Sequence, residues 1–191
     1  MEGKANLRTI LALRRRARTP HDRDRAAEAI ALHAAALPAL ARASRVAAYL
    51  SLPSEPGTGP LLDLLAGNGA EILVPIGLPD RSMDWARHAS GAVAAGALGV
   101  PEPTGAPLGP GALSSCDVAL VPALAVDHAG NRLGRGAGYY DRALAAFTGV
   151  VCAVVFDDEL LPHIPHEAHD RPVDLVLTPA GVFRPFRDRD L

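Results

Sequence analysis

Short apolar runs separated by helical patterns constrain the fold of this chain more than any other feature. The first run, residues 45–50, ends at a segment that cannot continue a strand because two prolines and a glycine interrupt it. Strands that alternate with helices in this way pair in parallel, with the helices covering the sheet. The sequence therefore predicts an α/β fold with strands over residues 45–50, 71–75, 83–88, 118–121, 150–156 and 174–177.

Helices are predicted before and after the first strand. Leucines and an isoleucine recur at helical spacing over residues 4–18, and a second helix runs from Pro20, after an N-cap at Thr19, to about residue 36. Thr58 is expected to cap a third helix over residues 61–65, which ends near Asn68 and Gly69. The basic cluster on the first helix is expected to be a solvated face, made of Arg14, Arg15, Arg16 and Arg18.

Composition and termini exclude several classes of protein. With 19 basic and 21 acidic residues the chain lacks the broad positive surface of a general nucleic-acid binder. Two cysteines without CxxC spacing favour a reducing compartment and no structural zinc, and Cys152 lies in an apolar run that predicts a buried thiol. The charged N-terminus has no apolar signal region, and no apolar segment reaches the ~18 residues that span a bilayer. We therefore expect a cytoplasmic monomer, one domain over residues 1–191, without membrane or nucleic-acid partners.

The chemistry of the chain is concentrated in residues 132–142, which read Arg-Leu-Gly-Arg-Gly-Ala-Gly-Tyr-Tyr-Asp-Arg. An apolar run precedes this stretch and a helical pattern follows it, so that glycines and a helix N-terminus would present backbone N–H groups to an anion. Arg132, Arg135 and Arg142 add positive charge suited to phosphate oxygens. Asp141 is the lone acid there, and beside a polyphosphate it indicates a Mg²⁺ ligand.

Glycine spacing alone leaves phosphate binding and an ordinary turn open. It reads G-x-G-x-G, unlike the dinucleotide fingerprint, and it lacks the Gly-Lys-Ser/Thr ending of a P-loop. The longer string from Leu133 to Arg142 resembles the signature of the 5-formyltetrahydrofolate cyclo-ligases, also called 5,10-methenyltetrahydrofolate synthetases. The resemblance extends from Lys4 to Thr178 and implies a single-domain, three-layer α/β/α fold with a mostly parallel central sheet, like that of sugar-phosphate isomerases and CoA transferases.

The resemblance also implies a reaction. 5-Formyltetrahydrofolate, with or without a polyglutamate tail, is closed to 5,10-methenyltetrahydrofolate with ATP as co-substrate and Mg²⁺ as cofactor, and ADP and phosphate are released. The γ-phosphate makes the formyl oxygen a good leaving group, and N10 then attacks the formyl carbon. Such a transfer requires mainly positioning and charge neutralisation, which agrees with the lack of a Ser/His or Cys/His constellation in the sequence.

Individual site residues follow from the same resemblance. Arg135 and Tyr139 are implied in catalysis, and Asp141 and Asp174 in binding Mg²⁺. ATP binding is implied for Lys4, Arg8, Arg132, Leu133, Gly134, Arg135, Gly136, Gly138 and Tyr140. Folate binding is implied for Leu50, Glu55, Arg135, Gly136, Ala137, Gly138 and Tyr139. Without the resemblance, Lys4 and Arg8 are an ordinary exposed pair, Glu55 is a solvated loop acid and Asp174 is a cap at the start of a strand.

Some features keep other interpretations open. Gly57 stands where the family commonly carries a second acid, and the segment from His166 to His169 is one residue short of the H-E-x-x-H zinc motif. Flanking prolines disfavour the long helix that zinc motif needs. Residues 101–112 form a Pro/Gly-rich loop that is expected to be functional or mobile. The alternative functions are a non-catalytic folate-storage or regulatory binder and a sugar-phosphate isomerase-like enzyme.

Overall fold

A seven-stranded sheet organises the computed structural model, which describes residues 3–96, 101–167 and 171–186. The spatial order of its strands is β12-β11-β9-β6-β1-β2-β3. The five inner strands pair in parallel, and only the edge strands β3 and β12 run antiparallel to their neighbours. The mostly parallel sheet predicted from the sequence is thus confirmed.

The elements have the following bounds. The strands of the large sheet are β1 (Arg45–Ala47), β2 (Glu71–Gly77), β3 (Met83–Arg87), β6 (Val118–Pro122), β9 (Val150–Val154), β11 (Leu175–Thr178) and β12 (Gly181–Phe183). Two small sheets contain β4 (Val93–Ala95) with β5 (Pro101–Pro103), and β7 (Ala125–Asp127) with β8 (Arg132–Leu133) and β10 (Leu160–Leu161). The helices are α1 (Lys4–Ala17), α2 (Pro20–Ala35), α3 (Pro38–Ala41), α4 (Gly59–Gly67) and α5 (Tyr139–Leu144), with 3₁₀ turns at Pro110–Ser115 and Asp157–Glu159.

Two hydrophobic layers hold helices on both faces of the large sheet. On one face Ile30 of α2 and Leu61 of α4 pack against strand residues such as Val46 and Leu120. The opposite face holds Trp85 of β3, Leu144 of α5 and Phe147, which follows α5. These two layers give the three-layer α/β/α arrangement, because apolar side chains alternate to both sides of inner strands that are buried on each face.

Helix α1 lies outside these two layers. Leu11 packs with Leu124, Leu133 and Ile164, and this contact joins the helix to the small sheet that contains β7 and β8. Leu13, which the sequence assigns to the apolar face, is 59% exposed. The next helix begins as predicted, since the Thr19 side chain accepts a hydrogen bond from the backbone N–H of Asp22 at 3.1 Å.

Tertiary contacts change two local predictions. Thr58 precedes α4, but its side chain does not cap the helix; its hydroxyl donates to the carbonyl of Tyr49 at 2.9 Å and so braces the loop after β1. The expected loop over residues 101–112 begins instead as β5, which pairs antiparallel with β4, and it continues into a 3₁₀ turn from residue 110. Thr58 bonds to a residue nine positions earlier and β5 pairs with the strand just before it, so neither contact lies within the predicted element.

Both cysteines are buried free thiols, as predicted for Cys152. Burial raises the pKa of Cys152 to about 12 and that of Cys116 to about 11, so both thiols stay protonated near neutral pH. Because the thiolate is the reactive form, we expect no reaction of the native protein with a disulfide-exchange reagent at pH 8. The same titration in guanidinium should report two thiols per chain. A rapidly reacting thiol in the native protein would contradict the burial.

Within the described residues, no helix combines the length and apolarity needed to cross a bilayer.

Candidate active site

A cavity of about 330 Å³ opens at the carboxyl ends of the parallel strands. Tyr49 and Leu50 follow β1, Gly77 ends β2, and Pro122 ends β6 at its rim. The glycine-rich stretch from Gly134 to Asp141 closes the other side. Ligands of open α/β sheets bind at this edge, and it is the edge that the sequence indicated.

The loop between β8 and α5 turns on two glycines. Gly136 has a φ of 99° and Gly138 a φ of 77°, both in the left-handed region that disfavours residues with a Cβ. Helix α5 has only six residues, so the positive charge at the cavity comes mainly from arginines, not from a helix dipole. A Cβ built on Gly136 would lie 3.5 Å from the guanidinium carbon of Arg8, which shows how closely α1 approaches this loop.

Glu55 and Arg135 meet across the cavity. An Arg135 N–H donates to Glu55 Oε1 at 3.2 Å, and the backbone N–H of Leu52 donates to Oε2 at 2.9 Å. Glu55 is 6% exposed, which rules out the solvated loop acid, whereas the Arg135 side chain is 54% exposed. A buried carboxylate on a braced loop therefore faces a half-exposed arginine on the glycine-rich stretch.

Arg132 and Asp141 form a second pair at the same cavity. Their side chains are 2.5 Å apart, and the Arg132 guanidinium lies 5.7 Å from the ring centre of Tyr140. The Arg132 side chain is nearly buried, while Asp141 is 45% exposed. Tyr139 stands beside them and donates its hydroxyl hydrogen to the carbonyl of Leu78 at 3.1 Å.

Arg8 and Lys4, the two cations of α1 predicted to bind ATP, differ in how closely they approach the loop between β8 and α5. Arg8 Nε donates to the carbonyl of Gly134 at 2.9 Å, so this residue is built into the loop and is not an ordinary exposed side chain. Lys4, one turn earlier, is 3.6 Å from Glu167 and lies outside the cavity wall. The i, i+4 spacing thus directs both cations toward one face of α1, where Arg8 contacts the glycine-rich stretch and Lys4 lies near Glu167.

Arg15 corrects the prediction of a solvated basic face. It is 2% exposed, lines the cavity, and donates to both carboxylate oxygens of Glu159 at 2.7 and 2.8 Å and to the carbonyl of Ala123 at 2.6 Å. Arg14 and Arg16 are exposed as predicted. The signal was present in the spacing, since Arg15 follows Leu11 by four residues on the buried side of α1, but its acidic partner lies 144 positions away.

Two further cavity residues carry no motif in the sequence. Tyr49 lies buried at the end of β1, and Glu102 of β5 reaches the cavity beside Gly77. Each is a single polar residue within an apolar or loop segment. Only the folded structure therefore identifies them as cavity residues.

Asp174 is placed apart from Asp141. It precedes β11, and its carboxylate accepts the backbone N–H of Val151 at 2.8 Å, at the amino end of the parallel strands. The cavity lies at the carboxyl end, and Asp174 does not line it. The described structure therefore does not bring the two predicted Mg²⁺ carboxylates together at the cavity, and the contact to Val151 agrees with the strand-start cap.

Two sequence features remain, the segment from His166 to His169 that is similar to a zinc motif and Gly57, and the first is described only in part. His166 and Glu167 are described and residues 168–170 lie outside the described ranges; among described residues no group of three or more His, Cys, Asp or Glu side chains could hold a metal. Gly57 faces α2, and a Cβ built there would lie 3.0 Å from the Cβ of Ala27. Position 57 is therefore close-packed against a helix and does not line the cavity.

Comparison with known proteins identifies the relatives of this chain. A model of the 5-formyltetrahydrofolate cyclo-ligase family matches residues 1–179. A 5-formyltetrahydrofolate cyclo-ligase of Mycolicibacterium smegmatis is 43% identical over 183 residues, which cover 92% of this chain and 93% of that protein. The protein of the same name from Escherichia coli is 30% identical over 180 residues, with 91% and 99% covered.

The solved structure of Aquifex aeolicus 5,10-methenyltetrahydrofolate synthetase has the same fold. It superimposes with a TM-score of 0.82 at 29% sequence identity, over 98% of this chain and 95% of that one. The family match, the full-length relatives and the cavity built around the glycine-rich stretch agree, and the chain therefore belongs to the 5-formyltetrahydrofolate cyclo-ligase family of ring-closing ligases.

Proposed function

We propose that this protein converts 5-formyltetrahydrofolate to 5,10-methenyltetrahydrofolate, with ATP as the second substrate and ADP and phosphate as products. The observation that carries the proposal is that Glu55 lies on one side of the cavity and the arginines of the glycine-rich stretch lie on the other. A carboxylate suits the N–H groups of an aminopyrimidinone ring, and arginines suit phosphate oxygens. The cavity thus offers complementary chemistry to a folate and to a nucleotide side by side.

The roles of the residues follow from their positions. Glu55 accepts N–H bonds from the pterin, and Leu50, which lines the same wall, packs on its ring. Arg132, Arg135 and Arg8, with the backbone N–H groups of the loop, neutralise the phosphates of ATP. Arg135 lies between the two substrates, so it stays close to the γ-phosphate as that group passes to the formyl oxygen. Such electrostatic positioning accounts for most of the catalysis of phosphoryl transfer.

Asp141 fits a Mg²⁺ ion, whereas a site shared by Asp141 and Asp174 does not fit this structure. Mg²⁺ is commonly bound through one or two carboxylates together with substrate phosphates. Asp141 lies at the cavity beside the phosphate-binding arginines, while the Asp174 carboxylate lies at the other end of the strands. Asp141 would hold the ion jointly with the nucleotide, and the ion would supply further neutralisation of phosphate charge.

The test of the proposed function is absorbance of the methenyl product. Purified protein is mixed with 5-formyltetrahydrofolate, ATP and Mg²⁺, and we expect an increase that requires all three. Folate binding without an absorbance change would favour the storage or regulatory binder instead. Turnover of a phosphosugar without ATP would favour the isomerase-like enzyme.

Substitution of Glu55 by Gln should weaken folate binding. The variant keeps the shape but loses the negative charge that accepts two N–H bonds, and hydrogen bonds to charged groups contribute about 1.5–3 kcal/mol, or about 10–100-fold in KM for the folate. The KM for ATP should change far less. Glu28→Gln, on the exposed surface of α2, is the matched control. Equal folate KM in both variants would contradict the role of Glu55.

Substitution of Asp141 by Asn should raise the Mg²⁺ concentration needed for half-maximal activity by about tenfold or more, because one anionic ligand is lost. The measurement is activity against Mg²⁺ at fixed ATP, with the exposed Asp63→Asn of α4 as control. Asp174→Asn tests the other carboxylate, and its position predicts lower thermal stability with an unchanged Mg²⁺ requirement. If only Asp174→Asn altered the requirement, the assignment to Asp141 would be wrong.

A further inference from the structure

The cyclisation step requires a base, because the proton of N10 must leave before the new ring can stay closed. When N10 attacks the phosphorylated formyl carbon, the C–N10 bond forms while the hydrogen is still on N10, which then carries a positive charge. A protonated aryl amine leaves more readily than phosphate, so the adduct reopens unless a nearby group takes the proton. The inference that follows rests on the proposed function.

Three carboxylates line the cavity among the described residues, and two of them are already paired. Glu55 is paired with Arg135, and Asp141 is paired with Arg132. Glu102 makes no hydrogen bond or ion pair within the described part of the chain. Since no histidine in the described ranges lines this cavity, a carboxylate must accept the proton, and that of Glu102 is the one whose oxygens stay available.

The hairpin of β4 and β5 holds Glu102 in place. Glu102 lies between Pro101 and Pro103, whose rings fix their own φ angles, and it is paired in register with Ala94 of β4. The residue is half-buried, so that it is partly shielded from bulk water and still reachable from the cavity that it lines. A carboxylate on a short paired strand can therefore meet a substrate atom at a defined place.

Glu102 and Tyr139 flank the same point of the cavity wall. A Cβ built on Gly77, the last residue of β2, would lie 3.8 Å from Oε1 of Glu102 and 3.8 Å from the hydroxyl oxygen of Tyr139. The Tyr139 hydroxyl donates its hydrogen to the carbonyl of Leu78, so that hydrogen is not given to the carboxylate. Since Tyr139 belongs to the glycine-rich stretch proposed to bind both substrates, Glu102 faces the part of the cavity where the formyl group and N10 would react.

We propose that Glu102 is the general base of the cyclisation and takes the proton from N10. The lone pair of N10 forms the bond to the formyl carbon, and the carboxylate accepts the N10 hydrogen as a proton. The bond between that carbon and the phosphorylated oxygen then breaks, and its electron pair leaves with phosphate. The product is the 5,10-methenyl cation, whose charge is shared by N5 and N10, and nothing is oxidised or reduced.

Glu102→Gln keeps the size of the side chain and removes the base. We expect kcat for methenyl formation to fall by about 10²-fold or more, as for loss of a positioned general base. The Kd for 5-formyltetrahydrofolate and the KM for ATP should stay within about threefold, because the groups proposed to bind the substrates are unchanged. Glu28→Gln, on the exposed surface of α2, is the matched control and should keep the parent rate. A Glu102→Gln variant with the parent kcat would overturn the proposal.

Rapid-quench measurement of the first turnover locates the step at which Glu102 acts. In Glu102→Gln we expect a burst of ADP at the parent rate, no larger than the number of active sites, while the methenyl product appears at the reduced rate. In the parent protein the two products should appear together. If ADP and methenyl product formed equally slowly in the variant, Glu102 would act at or before phosphoryl transfer, and the proposal would be wrong.

Further comparisons separate a base from the other uses of a carboxylate. Glu102→Asp retains a proton acceptor and should be faster than Glu102→Gln by about tenfold or more, and equal rates would argue against the base. A raised Mg²⁺ requirement would assign Glu102 to the ion, and a raised KM for ATP alone would assign it to the nucleotide; either result overturns the proposal. Failure of the parent protein to form methenyl product rejects the proposed function, whereas an active parent with an unaffected Glu102→Gln variant rejects only the base.

Discussion

Arg135→Ala should lower kcat by at least about 10³-fold, the range over which arginines that neutralise a transferring phosphoryl group act. The reason is its position. Arg135 is half exposed on the loop that turns at Gly136 and Gly138, and it reaches Glu55 on the opposite wall of the cavity. It can therefore contact both substrates. The fold should survive, because Arg135 itself is half exposed and the Glu55 carboxylate keeps the backbone N–H of Leu52 as a donor. Absorbance of the methenyl product measures the rate, and thermal unfolding confirms the fold.

Two companion variants make this prediction specific. Arg16→Ala removes an exposed arginine of α1 and should leave kcat and Tm near those of the parent. Arg135→Lys keeps the charge without the planar fork and should recover only part of the rate. The alternative role for Arg135 is that it only orients Glu55. Arg135→Ala would then raise the folate KM with little change in kcat, and that outcome would contradict the proposed role in phosphoryl transfer.

Arg15→Met should destabilise the protein by about 3–5 kcal/mol, because it leaves the Glu159 carboxylate buried without its cation. For a chain of this size that loss lowers Tm by about 10 °C. Arg15 and Glu159 are 2% and 1% exposed, and the two hydrogen bonds between them join α1 to the turn after β9. Since α1 also carries Arg8 to the glycine-rich stretch, we expect weaker ATP binding as well.

The pH dependence of this variant follows from the direction of one pKa. Burial raises the pKa of Glu159 above its ordinary value, and the charge of Arg15 opposes that increase. Without Arg15 the folded-state pKa rises further, so the variant retains stability at low pH and loses it as pH rises through that pKa. The difference in stability between parent and Arg15→Met should therefore be smaller at pH 5 than at pH 8.

Two variants serve as controls for the buried pair. Arg14→Met lies on the exposed side of α1 and should change stability by less than about 0.5 kcal/mol. Arg15→Met combined with Glu159→Gln removes both charges and keeps an acceptor for the Phe156 N–H, so it should be more stable than Arg15→Met alone. Additive losses in the double variant would show that the two side chains are not coupled.

Local patterns predicted the elements that are stabilised by neighbours in sequence. The inner strands and α1, α2 and α4 appear within a few residues of their predicted bounds, because apolar periodicity and the Thr19 N-cap act within one or two turns. The β4–β5 pairing and the small sheet around β7 were not predicted, since short strands acquire their stability from partners elsewhere in the chain.

The sequence by itself determined the family, the α/β class and the position of the candidate site in the stretch around Arg135 and Asp141. Glycine conformations, charge and strand–turn–helix order are local properties of the chain. Only the tertiary structure decided which charges meet. It buried Arg15 against Glu159, opposed Glu55 to Arg135, left the Tyr49 hydroxyl unpaired among described residues, and set Asp174 at the far end of the strands. Burial and ion pairing depend on residues that are 80 and 144 positions apart, and no pattern along the chain encodes those distances.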